Sequence, residues 1–424
     1  MRRFLPTIMI FLVTLSFALF SGRKDKSQFT FSDQPNFIVI VSDDQRYDSV
    51  KDVMPFTYSE LFEKGISFSK AYVTTPACCP SRSSILTGLN ASNHGVHTNS
   101  FPLNKKTIAH ALHENGYFTG IVGKYLNSWD GTPKSEFDFW ISHRGGHVKY
   151  YNPKLNVNGE WKIVSGYSTY IFADYAEEFL KKAKLSTKPF FLYFTPNAPH
   201  SPALPAPEER KTNPNYPLFR PESYQEGDKS DKPNWVKENL LTDKTWRIND
   251  NARQRQLNSL IALDRSIQKI INSIKELNLS EDTVIFYISD NGVLWGEHGL
   301  IRKDVAYEEA IHVPFAIKIP GLSSKSSNAL VANIDITPTI IDLSNIEFSE
   351  SFDGKSLMPL ITGKLNSIRE SLQIEGWGQK SENKPRFKAI HTGKTVTITY
   401  ENDHTEKYDL EKDPLQLNNI ADNK

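Results

Sequence analysis

Phe37-Ile38-Val39-Ile40-Val41-Ser42-Asp43-Asp44-Gln45 sets five apolar residues and one serine before two carboxylates. A run this short and this continuous reads as a β-strand covered on both faces, because a half-exposed strand would alternate. Three more runs share the pattern: 118–122, softened by Thr119 and Gly120, Phe190-Phe191-Leu192-Tyr193-Phe194, and Val284-Ile285-Phe286-Tyr287-Ile288. Helical patterns lie between them. Residues 105–115 read as a helix ended by Gly116, and 170–184 as another. Leu257, Leu260, Ile261, Ile267, Ile270, Ile271, Ile274 and Leu277 fall on one helical face. Strands alternating with helices predict an α/β fold built on a doubly wound, mostly parallel sheet.

Ligands bind such sheets beyond the carboxyl ends of the strands. The first strand is followed by Asp43 and Asp44, and the second by Gly123, Lys124, Tyr125, Leu126 and Asn127. The third leads to Pro196-Asn197-Ala198-Pro199-His200, and the fourth to Ser289-Asp290-Asn291-Gly292. Asp43, Asp44, Asp290 and Asn291 offer oxygen ligands alone, a set that suits Ca²⁺ or Mg²⁺ and disfavours zinc.

Composition narrows the class. Among 424 residues, 50 Lys and Arg face 49 Asp and Glu, a formal charge of +1. That balance argues against a broad nucleic-acid-binding surface. Hydrophobic residues are 38% and charged residues 23%, as in a globular chain rather than a disordered one. The two cysteines, Cys78 and Cys79, are adjacent, which excludes a disulfide scaffold and a zinc finger. Arg2 and Arg3 precede an apolar run ending at Phe20, then Ser21 and Gly22. This is the order of a secretory signal peptide over 1–22, with an uncleaved anchor as the alternative. A secreted or periplasmic protein is expected, with no membrane contact beyond such an anchor.

Cys78-Cys79-Pro80-Ser81-Arg82-Ser83-Ser84-Ile85-Leu86-Thr87-Gly88 carries the most chemistry. Pro80 suits the first turn of a helix and Gly88 its end. Cys78 then stands just before a helix N-terminus, where free N–H groups favour an anion, with Arg82 in the first turn. The residues alone allow a reactive cysteine beside an anion site, or two cysteines buried as core.

Cys-x-Pro-Ser-Arg-x-x-x-Leu-Thr-Gly resembles the signature of type I, formylglycine-dependent sulfatases. The resemblance extends along nearly the whole mature chain. Asp43-Asp44-Gln45 matches the family's first metal motif, Gly123-Lys124-Tyr125 its Gly-Lys element, and Ala198-Pro199-His200 its histidine motif. Ser289-Asp290-Asn291-Gly292 and Gly296-Glu297-His298-Gly299-Leu300, with Lys303 beyond, match the second metal block. The segment from Tyr408 to Pro414 resembles its C-terminal motif. The implied architecture is the alkaline-phosphatase-like sulfatase fold, with a catalytic domain at 33–345 and a small C-terminal α+β subdomain at 346–424. Within that subdomain, Ala389-Ile390-His391-Thr392 and Val396-Thr397-Ile398-Thr399-Tyr400 read as an antiparallel pair turning at Gly393-Lys394.

The resemblance also implies the chemistry. Cys78 would be oxidised to formylglycine by a formylglycine-generating enzyme during maturation. Its hydrated aldehyde would attack sulfur, displace the alcohol, and then release sulfate as the aldehyde reforms. Asp43, Asp44, Asp290 and Asn291, with the residue at 78, would hold Ca²⁺ or Mg²⁺. Arg82 would hold the formylglycine hydroxyl, while Lys124 and Lys303 bind sulfate oxygens. Many sulfatases carry a histidine two residues after the motif lysine, where this chain has Leu126. Gly-Lys-Tyr-Leu-Asn instead resembles the N-acetylglucosamine-6-sulfatase and heparan-type branch, as do Cys-Cys-Pro-Ser-Arg and the segment from Ser223 to Pro233. Asn127 would hydrogen-bond substrate there, and the general acid is either His200 or His298.

The remaining features stay bland or open. His94 and His97 are expected to be structural. His143 and His147 lie in a Gly-rich loop where either could touch substrate. Tyr125, Trp129 and Trp295 fit either a sugar site or the core. Residues 201–250 are polar and proline-rich and read as one long loop, either functional or disordered. The expected activity is hydrolysis of sulfate esters on a glucosamine-6-sulfate-like sugar. A phosphate or phosphonate ester hydrolase on the same architecture is the alternative, and a binding protein that retained the fold the third reading.

Overall fold

The computed structural model describes residues 34–209, 216–224, 226–239, 241–379, 383–402 and 404–422. The signal segment expected at 1–22 lies outside the described residues. The strands of the large sheet are β1 (Asn36–Ser42), β2 (Ile66–Tyr72), β3 (Phe118–Gly123), β4 (Phe139–Ser142), β5 (Lys154–Val157), β6 (Glu160–Ile163), β7 (Phe190–Thr195) and β8 (Thr283–Ser289). A two-stranded ribbon follows, β9 (Leu294–Trp295) with β10 (Ile301–Arg302), and then β11 (Phe315–Lys318) and β12 (Lys325–Ala332) complete the large sheet. Its order is β12-β2-β11-β8-β1-β7-β3-β4-β5-β6. Strands β8, β1, β7, β3 and β4 run parallel as one central block. Antiparallel β11 flanks it on one side and the β5–β6 hairpin on the other.

The continuous apolar runs are continuous because both sheet faces are covered. Phe37, Val39 and Val41 enter one hydrophobic cluster and Ile38 and Ile40 the other. Val284, Phe286 and Ile288 divide from Ile285 and Tyr287 in the same way. The first face carries α1 (Cys78–Thr87), α2 (Ile108–Glu114) and, later in the chain, α5 (Ile336–Ser344). The second carries α3 (Ser168–Ser186) and α4 (Asp243–Glu276). Thr107 caps α2 in a capping box with His110. The apolar stripe of α4 is buried at Leu257, Leu260, Ile267, Ile270, Ile271 and Ile274, as its spacing predicts.

Two expectations need correction. Residues 201–250 are not one loop: a short helix spans Asn234–Lys237, and α4 already begins at Asp243. Thr242 caps it by accepting from the Thr245 amide. These first turns of α4 are polar, so apolar periodicity did not reveal them. Helix α1 begins at Cys78 itself, which moves Arg82 into the second turn. It ends at Gly88, whose φ of +71° is left-handed.

The C-terminal unit is a four-stranded antiparallel sheet of β13 (Leu372–Gln379), β14 (Lys384–His391), β15 (Thr395–Tyr400) and β16 (Thr405–Asp409), in that order. The expected hairpin is its centre, with His391 opposite Val396. It packs on the main body through polar contacts: Tyr307 donates to Glu406 at 2.9 Å, and His391 meets Glu308 at 2.9 Å.

Candidate active site

The carboxyl ends of the parallel block converge as the sequence predicts. Strand β1 delivers Asp43 and Asp44, β3 Lys124, β7 His200, and β8 Asp290 and Asn291. The segment after β2 delivers Cys78 at the start of α1. Asp44 turns the chain away from β1 at φ +64°, a conformation that Asp tolerates better than most residues. Its backbone N–H donates to Asp290 Oδ1 at 3.0 Å, which ties the β1 and β8 ends together. Gly123, at φ +119°, ends β3 against β7: a Cβ there would stand 2.1 Å from the Thr195 carbonyl oxygen. This close approach lets the Lys124 side chain enter the site.

Helix α1 is buried along its whole length although it is rich in serine. Several of its polar groups are satisfied locally, although Ser83 Oγ is buried without a hydrogen-bond partner. Asn333 donates to Ser81 Oγ at 2.9 Å, and Ser84 Oγ meets His94 Nε2 at 3.1 Å. His94 is therefore a structural histidine, as expected. Cys78 and Cys79 are both free and buried.

Three carboxylates and three cations interlock around Cys78. Lys124 Nζ lies 2.9 and 3.1 Å from the two oxygens of Asp43. Arg82 donates from Nε to Asp290 Oδ2 at 2.8 Å and from Nη1 to the Lys124 carbonyl at 3.1 Å. Lys303 Nζ lies 2.7 Å from Cys78 Sγ and 3.2 Å from Asn291 Oδ1, and it pairs with Asp44 Oδ1. The Cys78 thiol points at Asp43 Oδ1, 3.5 Å away. The chain of the C-terminal sheet supports this arrangement, since Lys384 Nζ donates to the Lys303 carbonyl.

Burial opposes every charge here, and the partners decide the outcome. It would raise the Asp43 carboxyl, yet Lys124, His200 and Arg82 together hold it well below the usual carboxylate range. Asp44 is lowered in the same way, burial being outweighed by Lys303 and His200. Lys303 and Lys124 are held charged against burial, chiefly by Asp44 and Asp43 respectively. The Cys78 thiol goes the other way: burial pushes it up although Lys124 and Lys303 pull it down. A thiol so disfavoured as an anion is a poor nucleophile.

Four side chains here could hold a metal ion. Asp43, Asp44, Cys78 and His200 bring ligand atoms within 4.8 Å of one another. The Lys303 ammonium already sits among Asp44, Asn291 and Cys78, so these groups gather around positive charge.

The two histidines left open as acid candidates differ in place. His200 Nε2 is 3.6 Å from Asp44 Oδ2, and its side chain keeps 15% exposure. His298 is fully buried, bonded through Nδ1 to Glu226 at 2.8 Å and stacked on Tyr307. Its amide donates to the Ser223 carbonyl at 2.6 Å, so the segment from Ser223 buttresses the His298 turn. Asn127 is held behind the loop after β4: a Cβ at Gly146 would fall 2.2 Å from its Nδ2. Its Oδ1 is buried without a hydrogen-bond partner. Among the described residues no hydrogen bond joins the Asn127 side chain to Asp43, Asp44 or Asp290.

Two residues were under-read. His143 follows β4, the next parallel strand, and is buried with Nε2 unpartnered. Burial pushes its pKa down to about 4, and Lys124, Asp43 and Arg82 act on it electrostatically. Phe139-Trp140-Ile141-Ser142 before a histidine repeats the pattern of the other strand ends and is the signal that could have found it. His147, on the same loop, brings its ring within 4.7 Å of His200. The other aromatics considered for a sugar site belong elsewhere. Tyr125 packs edge-on against Trp140, and Trp295 donates to Gln256 and lies under Arg46. Trp129 packs partly buried against the core. His97 stacks on Trp377 of the C-terminal sheet.

Comparison with known proteins agrees with this geometry. The family model "Sulfatase" matches residues 35–346, and "N-sulphoglucosamine sulphohydrolase, C-terminal" matches residues 296–424. A putative extracellular sulfatase Sulf-1 homolog of Caenorhabditis elegans is 34% identical over 81% of this chain and 51% of its own length. N-acetylglucosamine-6-sulfatase of Homo sapiens is 32% identical over 82% of this chain and 68% of its own length. The extracellular sulfatase SULF-1 homolog of Drosophila melanogaster is 32% identical over 82% of this chain. The chain thus spans about half of the worm relative and 33% of the fly one. Among solved structures, BT4656 in complex with its substrate D-glucosamine-2-N,6-O-disulfate aligns with TM-score 0.78 at 24% identity, covering 91% of this chain and 93% of that one. The phosphonate monoester hydrolase of Agrobacterium radiobacter aligns with TM-score 0.74 at 18% identity, covering 92% of each. At those identities the likeness is one of fold. With its motifs at the converging strand ends and the family model over most of its length, the chain belongs to the sulfatase family.

Proposed function

We propose that this protein is an exported sulfatase that hydrolyses a sulfate ester on a glucosamine-like sugar. The observation that carries this reading is the buried Cys78 at the N-terminus of α1, enclosed by Asp43, Asp44, Lys124 and Lys303. A protonated thiol there makes a poor nucleophile, which favours an oxidised Cys78. Converted to formylglycine and hydrated, position 78 supplies a geminal diol as nucleophile and a route for sulfate release. A divalent cation, Ca²⁺ or Mg²⁺, held by Asp43, Asp44, Asp290 and Asn291 would neutralise sulfate charge and acidify that diol.

The chain's own residues then take these roles. Lys303 and Lys124 bind sulfate oxygens and offset the charge that develops at sulfur. Arg82, pinned to Asp290, orients the hydroxyl at position 78 and holds the acidic cluster in register. His200 gives its proton to the departing sugar oxygen. It lies at the site edge with partial exposure, whereas His298 is fixed by Glu226 and buried, so the acid role goes to His200. His298 and Asn127 remain candidates for substrate contact. The sugar preference rests on the 32% identity to N-acetylglucosamine-6-sulfatase. Export is supported by the N-terminal apolar segment and by relatives named extracellular. No helix among the described residues is long and apolar enough to cross a membrane. The span of the first family model, 35–346, supports a catalytic unit near 33–345 followed by a C-terminal unit near 346–424, whereas the second model begins earlier, at 296.

The test is co-expression with a formylglycine-generating enzyme and mass spectrometry of the peptide carrying position 78. Sulfate release from 6-O-sulfated glucosamine is then followed with and without a chelator, beside a phosphonate monoester. Aldehyde at 78 and chelator-sensitive sulfate release are expected. Confirmed aldehyde with no sulfate release, or with phosphonate turnover alone, overturns the reading.

A further inference from the structure

A cleft of about 770 Å³ opens beside His147 and His200 and runs out along the β5–β6 hairpin. Its inner wall is His143 and His147, and its outer floor is Trp161 with Lys154 and Lys149. Strand β6 is exposed along its whole length, so its alternation buries nothing. Glu160 and Lys162 pair with each other on one face at 2.7 Å. The opposite face lines the cleft with Trp161, 40% exposed, and Ile163, 74% exposed. An edge strand that sets an indole and an isoleucine toward water gains no core from them.

The placement of Trp161 is built. Gly131 holds φ +91°, and a Cβ there would come within 2.5 Å of the Trp161 ring. Glycine therefore makes the space in which the indole lies across the cleft floor. Lys154 Nζ sits 5.7 Å from the same ring's centroid. Arg144 and Lys149 add positive charge to the lining, and among its described residues Asp130, which interacts with Arg144, is the one carboxylate. The cleft thus combines an apolar aromatic face, a net positive lining and continuity with the site at Cys78.

We propose that this cleft is a subsite for a neighbouring sugar of the same chain, one that carries an anionic group, sulfate or carboxylate. Trp161 takes the apolar face of the pyranose, and Lys149 and Lys154 take its negative charge. A sugar whose sulfate lies at Cys78 has its ring beside His147 and His200, and the chain continues over Trp161. This rests on the sulfatase reading for the identity of the site and extends it to an oligosaccharide substrate.

Binding separates the two readings. Full-length protein carrying Cys78→Ala is titrated calorimetrically with 6-O-sulfated glucosamine and with an N,O-sulfated glucosamine–uronate tetrasaccharide. The tetrasaccharide should bind at least about tenfold more tightly. Trp161→Ala, and Lys149→Ala with Lys154→Ala, should remove most of that advantage and leave monosaccharide affinity unchanged. Lys149 and Lys154 are exposed and Trp161 lies on an exposed edge strand, so every variant should keep a cooperative melting transition. A tetrasaccharide sulfated at one glucosamine alone tells the sources apart: retained sensitivity to the lysine changes assigns the carboxylate, and lost sensitivity the second sulfate. Equal affinity for the two ligands, or an advantage that survives both variants, overturns the subsite. Turnover by the Cys78 protein is scored separately, so a failed sulfatase assay leaves this binding result standing.

Discussion

Lys124→Met tests the charge balance of the buried cluster. Lys124 is fully buried, and its ammonium contacts both oxygens of Asp43 at 2.9 and 3.1 Å. Methionine fills a similar volume, so the change removes a charge more than it opens a cavity. Asp43 would keep Arg82 Nη2 at 3.7 Å but lose its closest partner. Removing one partner of a buried pair costs about 3–5 kcal/mol, because the other charge stays desolvated. In chelator, the urea midpoint should fall by about 1 M for a protein of this size. With Ca²⁺ near a hundredfold above its Kd, bound cation adds about 2.7 kcal/mol to the native protein. It should add more to the variant, where it also compensates the stranded carboxylate. The gap between chelator and Ca²⁺ midpoints should therefore widen in the variant, while sulfate release falls by about 10²–10³-fold. A midpoint in chelator equal to the natural protein's, or a Ca²⁺ shift that does not grow, refutes the argument that Lys124 balances a cation-binding cluster.

Three further outcomes follow from the geometry. His200→Ala should lower kcat about 10²–10⁴-fold on a sugar sulfate and far less on an aryl sulfate, whose leaving group needs no proton; equal losses on both would remove His200 as the acid. His94 is buried against Ser84, and burial lowers its pKa from 6.5 to about 3. The unfolded chain therefore binds the extra proton between those values, and stability present above pH 6.5 should fall by about 2–3 kcal/mol by pH 4.5. His94→Gln should flatten that part of the pH–stability curve in urea titrations, and an unchanged slope would assign the loss elsewhere. Gly123→Ala sets a Cβ against the Thr195 carbonyl at a left-handed φ. It should cost several kcal/mol, about 2–4, and displace Lys124, so a variant with natural stability and turnover would contradict the close β3–β7 approach.

The sequence by itself determined the parallel core and most of the site. Runs such as 37–41 and 284–288 are apolar at every position because both sheet faces are covered, and that demand is written residue by residue. Strand ends bring ligands to one edge by topology, so Asp43, Lys124, His200 and Asp290 were legible as a group. Tertiary structure decided the rest. The start of α4 at Asp243 is polar and held by a cap, which leaves no apolar period to read. The run 139–142 before His143 repeats the strand-end pattern, but at four residues it is a weak signal, and the sheet order is what sets it beside β3, which carries Lys124 at its end. The choice of His200 over His298 came from burial and from Glu226, a partner 72 residues away in the chain. Trp161 belongs to none of the motifs or strand runs legible in the sequence. Its exposure, the room left by Gly131 and its nearness to Lys154 exist only once β5 and β6 pair at the sheet edge. Local patterns encode what a residue needs from its own element, whereas charge balance, exposure and access arise between elements distant in sequence.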